Sequence, residues 1–231
     1  MKLENLTWKE VETYLQTNQD LIVPAGTCEQ HGPHLPLNTD TLVTERIAAY
    51  LSEETGMLVA PPLHYGVNLP CDRIYAGTCS TTQSLLNAFV ASILAWWQAQ
   101  GFQRFFLLSA HGDPPQIQAL ESIDSATVHV LELYAYEMED VLDKQTCAKH
   151  AGEAETAVMM YLYPERLRRD AIQDFVTPFE QFEPYLMHHN TDPIPGSPGN
   201  QGYPSQASAE KGKVLYARMK AHALQWMKRY H

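Results

Sequence analysis

The chain has 231 residues, of which 45% are hydrophobic and 19% are charged. This amount of apolar side chain can form a sizeable core, so the composition excludes a disordered chain. The formal net charge of −11 argues against nucleic acid and against an anionic membrane as partners, because both are recognised through positive charge.

Helix and strand patterns alternate along the first half of the chain. The predicted elements are, in order, a helix at 6–17, a strand at 21–25, a helix at 41–55, a strand at 57–62 and a helix at 81–100. Thr7 and Glu10 have the spacing of a capping box at the first helix. Gly56 and Gly101 stand where the next two helices should end.

The alternation continues in the second half. We predict a strand at 104–110, a helix at 115–126, a strand at 127–136, a helix at 151–163, an irregular segment at 176–206 and a terminal helix at 207–230. This order is typical of α/β proteins with a parallel sheet. We therefore expect one domain over residues 1–231, a three-layer α/β/α sandwich with a mainly parallel central sheet. Ligands of such sheets bind beyond the carboxyl ends of the strands.

The cysteines and the apolar segments indicate a cytoplasmic protein. None of the four cysteines belongs to a C-x-x-C pair, and a chain of this length can fold without disulfides. The N-terminal segment contains acids and lacks the apolar core of a signal peptide. The longest mostly apolar run, at 85–97, is shorter than the ~18–20 residues that span a bilayer.

Three polar side chains follow the first predicted strand. Glu29 and His31 are two residues apart, so in an extended segment their side chains point the same way. Asp40, near the start of the next predicted helix, could reach the same place. Carboxylates and imidazoles suit Zn, Mn or Fe. The alternative is structural: Asp40 caps the helix, and the other two side chains lie at the surface or bind the loop.

Two further loops contain the same residue types. His111 and Asp113 follow the strand at 104–110, and His150 and Glu155 flank the start of the helix at 151–163. A histidine suits acid–base work near neutral pH, and a carboxylate can bind metal. The alternatives are that Asp113 caps a helix and that the acids near 153 are placed there by the helix dipole.

The order of these motifs resembles the creatininase (creatinine amidohydrolase) family. The motif EQHGPHLPLNTD at 29–40 is the most specific, and the His-Gly turn at 111–112 and HAGEAET at 150–156 support it. GNQGYP at 199–204 and AEKG at 209–212 are similar to the closing motif of that family. The resemblance extends over most of the chain.

The resemblance implies a site for two divalent metal ions, Zn, Mn or Fe. Its ligands would be Glu29, His31, Asp40, His111 and Asp113. Asp40 would bridge the two metals. Asp113 stands where creatininases have a glutamate ligand, and its side chain is one methylene shorter. Glu155 is the alternative ligand of the second metal.

The activity implied by the resemblance is hydrolysis of a cyclic amide or formamide C–N bond in a small molecule, with His150 as the proton shuttle. Creatininases have a tryptophan just before this histidine, and its absence here argues against creatinine as the substrate. Two alternatives stay open: hydrolysis of a C–C bond in a cyclic keto-inositol-type substrate, and a non-catalytic metal-binding assembly subunit. Members of the family form homo-oligomers, often hexamers, so we expect self-association.

Overall fold

A four-stranded parallel sheet forms the centre of the fold. The computed structural model describes residues 1–187 and 190–230. The strands are β1 (Asp20–Ala25), β2 (Leu58–Val59), β3 (Arg104–Ser109) and β4 (Val128–Glu132), in the spatial order β2-β1-β3-β4. All three pairings are parallel. The predicted mixed α/β class with a parallel sheet is confirmed, although β2 and β4 are shorter than their apolar runs suggested.

Seven α-helices of the described residues accompany the sheet. They are α1 (Trp8–Leu15), α2 (Thr39–Thr55), α3 (Gln83–Gln100), α4 (Pro114–Glu121), α5 (Glu153–Leu162), α6 (Phe179–Leu186) and α7 (Ala209–Met227). Within the described residues, no helix is both long and apolar enough to cross a membrane. The cytoplasmic location stays a prediction.

Helix α6 corrects the prediction of an irregular segment at 176–206. Its Phe182 and Leu186 are four positions apart and pack, with Tyr185, against Leu69 and Cys71. The helix tolerates an internal proline, Pro184, and the many prolines around it hid the helical spacing. Residues 188 and 189 of the same segment lie outside the described residues.

The two faces of the sheet pack against different helices. Leu21 and Leu107 share one core with buried side chains of α3 and α4. Ile22 and Phe106, which are adjacent to Leu21 and Leu107 on the same strands, share the other core with buried side chains of α2, α5 and α7. Because successive side chains of a strand point to opposite faces, both faces are covered, and the chain forms three layers.

The predicted helix ends are confirmed by their backbone geometry. Thr7 and Glu10 form both hydrogen bonds of a capping box at α1. Gly56 ends α2 with φ of 73°, and Gly101 ends α3 with φ of 118°. Both values lie in the left-handed region that glycine adopts without steric cost.

The AEKG motif at 209–212 holds α7 against α5. Gly212 is buried where a Cβ atom would collide with the carbonyl oxygen of Ala157. Lys211 forms an ion pair with the fully buried carboxylate of Glu153 and a second one with Asp143. This part of the family motif therefore has a packing role, and it fixes the start of α5.

We predict that Gly212→Ala lowers the free energy of unfolding by about 2 kcal/mol, because overpacking a tight contact typically costs ~1–3 kcal/mol. Urea denaturation followed by circular dichroism measures the effect. Ala217→Ser is the matched control, since it adds one heavy atom at an exposed position of the same helix. Equal midpoints for the two variants would show that the α5–α7 contact is not tight.

Candidate metal centre

The loops that follow β1 and β3 bring four predicted ligands together. Glu29 and His31 lie in the loop after β1, Asp40 lies in the first turn of α2, and His111 lies two residues beyond β3. All four side chains are buried. The sheet positions them because parallel β1 and β3 pair in register and end side by side at Ala25 and Ser109.

Asp40 lies between two histidines. Its Oδ1 is 3.3 Å from Nε2 of His31, and its Oδ2 is 3.5 Å from Nδ1 of His111. One carboxylate thus presents a different oxygen to each imidazole. This is the arrangement expected of a bridging ligand, the role that the family resemblance implied for Asp40.

Glu29 also faces two histidines. Its Oε2 is 3.0 Å from Nδ1 of His111, and its Oε1 is 3.6 Å from Nδ1 of His150. The other ring nitrogen of His111 lies 2.9 Å from the carbonyl oxygen of Val67. A backbone carbonyl at this position fixes the ring and directs Nδ1 towards the carboxylates, as the outer partners of metal-binding histidines do.

The pKa values show that the buried carboxylates and imidazoles of the cluster interact strongly with one another. Burial would lower the pKa of His31, but Asp40, Glu29 and Glu155 outweigh it and raise that pKa to about 10. Burial would raise the pKa of Asp40, but His31 and His111 hold it well below its usual range. Burial raises the pKa of Glu155. Such a cluster favours a bound cation.

The donor atoms fit divalent metal ions. Oε2 of Glu29 and Oδ2 of Asp40 are buried and accept no aligned hydrogen bond from the described residues, whereas buried acceptors are normally satisfied. Among residues 1–187 and 190–230, two groups have ligand atoms close enough to hold an ion: Glu29, Asp40 and His111, and Glu29, His31 and His150. Oxygen and imidazole ligands suit zinc, manganese and iron.

The HAGEAET motif brings His150 and Glu155 to the same centre. Ala151 has a φ of 45°, which is unusual for a residue with a Cβ. In this turn, the backbone N–H of Ala151 donates to Oε2 of Glu155, and the same oxygen lies 3.8 Å from Nε2 of His31. Glu155 therefore lies beside the His31 end of the cluster.

Asp113 lies on the other side of His111. Its Oδ2 is 3.5 Å from Nε2 of that ring, whereas Glu29 and Asp40 approach Nδ1. Asp113 is the N-cap residue of α4, but its side chain makes no capping hydrogen bond. It belongs to neither candidate ligand group, so a metal-binding role for Asp113 stays a prediction.

Three functional candidates were missed in the sequence. Gln30 lies between two predicted ligands, and its amide contacts His150. Tyr134 follows β4 and lines the cavity, and its buried hydroxyl has no hydrogen-bond partner among the described residues. His34, in the same motif as Glu29 and His31, is fully buried, with Nε2 2.9 Å from Oγ1 of Thr156. In the sequence, these three residues could have been found by their proximity to predicted ligands or to the end of a predicted strand.

The cluster opens into a cavity of about 240 Å³. Carboxylates line part of its wall, including Asp72 and Glu132, and apolar side chains of α6 line another part. Burial raises the pKa of Asp72 to about 7. Tyr65 and Arg73, from the segment between β2 and α3, are exposed and do not line this cavity.

Comparison with known proteins identifies the family. The model of the creatininase family, described as creatinine amidohydrolase, matches residues 4–227. The chain belongs to the creatininase family. It is 27% identical over 235 residues to creatinine amidohydrolase of Pseudomonas putida, with 91% of this chain and 89% of that protein covered. The resemblance seen in the motifs is thus confirmed.

Relatives in this family have different names. The chain is 30% identical over 219 residues to the mycofactocin precursor peptide peptidase of Mycobacterium ulcerans, covering 86% of this chain and 80% of that protein. It is 28% identical over 182 residues to 3-dehydro-scyllo-inosose hydrolase of Thermotoga maritima, covering 72% of this chain and 58% of that protein. The relatives are hydrolases with different substrates.

Solved creatininases share the fold. A manganese form has a TM-score of 0.82 at 23% identity, with 99% of this chain and 97% of that chain covered. Another creatininase has been solved in a Zn–Zn form. The prediction of divalent metal cofactors agrees with these structures and with the two candidate ligand groups of this chain.

We predict that His31→Ala lowers divalent metal content, because it removes the imidazole that faces Asp40 and Glu155. We expect metal affinity to fall at least ~10-fold, as loss of even an outer partner costs ~10–100-fold. Elemental analysis after dialysis against manganese or zinc measures the content. His64→Ala is the control, since His64 is exposed. Equal metal content in the two variants would exclude His31 as a ligand.

Proposed function

We propose that the protein is a metal-dependent hydrolase of a cyclic amide or formamide C–N bond in a small molecule. The observation that carries this proposal is the buried Asp40 carboxylate, which presents one oxygen to His31 and the other to His111. Glu29 would join Asp40 and His111 around one ion. Glu155 lies beside His31, whereas Asp113 lies on the other side of His111. Glu155 is therefore the better candidate to complete the ligand set of the second metal.

The bound ions would supply a polarised carbonyl and a water of lowered pKa. In the reaction, the C–N bond breaks, the water oxygen bonds to the carbonyl carbon, and one water proton ends on the leaving nitrogen. The ligand cluster excludes bulk water because its side chains are buried. His150 is partly exposed at the cavity wall. It is the proposed proton shuttle, which delivers this proton to the leaving nitrogen.

The cavity supports a small substrate. Its volume of about 240 Å³ is below the ~300–1,000 Å³ typical of pockets for drug-sized ligands. Phe182 and Leu186 of α6 line the cavity together with polar groups, and this mixed lining suits a ring with one hydrolysable bond. Hydrolysis of a cyclic keto-inositol-type compound is the alternative, and the Thermotoga maritima relative keeps it open.

We predict that a panel of lactams, formamides and cyclic ketones contains a substrate of the metal-loaded protein. On that substrate, His150→Asn should lower kcat at least ~100-fold, because a positioned acid–base group contributes ~10²–10⁴-fold, and metal content should not change. His64→Asn serves as the exposed control. Full activity of His150→Asn would remove His150 from the mechanism, and a panel without turnover would favour the non-catalytic assembly subunit.

We also propose that the chain forms a homo-oligomer through α3. This helix has no charged residue in 18 positions, and its outer face exposes Leu85 (61%), Phe89 (54%) and Trp96 (74%). Copies of a chain with a net charge of −11 repel each other, and a neutral apolar face minimises that repulsion. The centre of a subunit interface is similarly depleted of charge.

We predict that the double variant Phe89→Lys, Trp96→Lys forms a smaller assembly than the wild type, because each lysine would have to be desolvated at the interface. Light scattering coupled to size-exclusion chromatography measures the mass. Val214→Lys, at an exposed position of α7, is the control and should leave the mass unchanged. A wild type that is monomeric, or a double variant of unchanged mass, contradicts the proposed interface.

A further inference from the structure

The side-chain amide of Gln30 is buried between His150 and two oxygen acceptors. Its Nε2 lies 2.9 Å from Oδ1 of Asp72, 2.7 Å from the carbonyl oxygen of Gly199 and 2.9 Å from Nε2 of His150. Its Oε1 accepts a hydrogen bond of 2.9 Å from the backbone N–H of Gly32. The amide is thus held at both ends.

These partners fix which end of the amide faces His150. In the opposite orientation, Oε1 would face a carboxylate and a carbonyl oxygen, and Nε2 would face the backbone N–H of Gly32. Each of those contacts would bring two acceptors or two donors together, and no hydrogen bond would form. The Gln30 nitrogen, and not its oxygen, therefore faces the imidazole ring.

An amide nitrogen donates hydrogen bonds but accepts none. A proton on Nε2 of His150 would consequently point at another donor. The proton of the neutral ring belongs on Nδ1, the nitrogen that lies 3.6 Å from Oε1 of Glu29. We propose that Gln30 is a positioning residue that holds His150 as the Nδ1–H tautomer.

The tautomer decides between two roles of His150. Coordination of a metal through Nδ1 would put the ring proton on Nε2, against the Gln30 amide. Although His150 belongs to one candidate ligand group, Gln30 excludes it from metal binding and leaves its Nδ1–H directed at the cluster. His150 then donates a hydrogen bond at Nδ1, and it can take up a proton at Nε2 only after Gln30 moves.

The loop at 199–202 maintains this arrangement. Gly199 has a φ of 111°, and a Cβ atom there would collide with the Gln30 side chain. The backbone N–H of Gln201 donates to the carbonyl oxygen of His150 at 2.7 Å. The loop thus contacts both Gln30 and His150, which gives this part of the family motif a physical role.

The test is the protonation pattern of His150 in long-range ¹H–¹⁵N NMR spectra of the histidine-labelled, zinc-loaded protein, because ring nitrogens with and without a proton have distinct shifts. The signals of His150 are assigned by their loss in His150→Asn. We expect the proton on Nδ1. A proton on Nε2, or a metal-bound Nδ1, overturns the inference.

Two variants test the part played by Gln30. Gln30→Glu places a carboxylate oxygen against Nε2, so we expect the ring proton to move there. Gln201→Leu is the matched control and should keep the Nδ1–H form, because the Gln201 side chain is buried nearby but binds Thr177. If His150 keeps the Nδ1–H tautomer in Gln30→Glu, a residue other than Gln30 determines that tautomer.

The tautomer of His150 does not depend on the proposed function. Only the catalytic role of His150 in this inference rests on it. On a substrate from the panel, Gln30→Leu should lower kcat by about 10- to 100-fold, as loss of an outer partner does, with unchanged metal content and a similar KM. A panel without turnover would contradict the hydrolase proposal, whereas the NMR result on the same protein would still decide the tautomer.

Discussion

Three carboxylates, Glu29, Asp40 and Glu155, are buried together at one edge of the sheet, and the rest of the site depends on this burial. Unpaired buried charge is costly, and the two nearest imidazoles, His31 and His111, offset only part of it. Divalent cations supply the missing positive charge. Cation binding therefore explains why these carboxylates are buried, whereas a contribution to folding stability does not.

The surrounding elements hold the cluster in place from several sides. Parallel strands β1 and β3 position the first two loops, and α5 positions the third. Helix α7 keeps α5 in register through the buried Lys211–Glu153 pair and the close contact at Gly212. The left-handed backbone of Ala151 then turns His150 and Glu155 towards the predicted metal ligands. Packing far from the cavity thus determines the geometry inside it.

Much of this organisation could be predicted from the sequence. The strand and helix order followed from hydrophobic runs and glycine caps, and the ligand candidates followed from residue types after strands. Helix α6 was missed because its prolines masked the spacing of its apolar residues. The roles of Asp113 and Glu155 could not be ranked, since this depends on which histidine each carboxylate approaches in the folded chain, His111 for Asp113 and His31 for Glu155. Gln30 was overlooked because an amide carries no charge and shows its role only through its partners.

The position and number of bound ions test the central claim most directly. Anomalous X-ray diffraction from crystals of the manganese-loaded protein locates them without reference to any substrate. The arrangement of Asp40 predicts two anomalous peaks per chain, one beside Glu29 and His111 and the other beside His31 and Glu155, with the Asp40 carboxylate between them. A single peak, or manganese bound away from Asp40, would contradict this account.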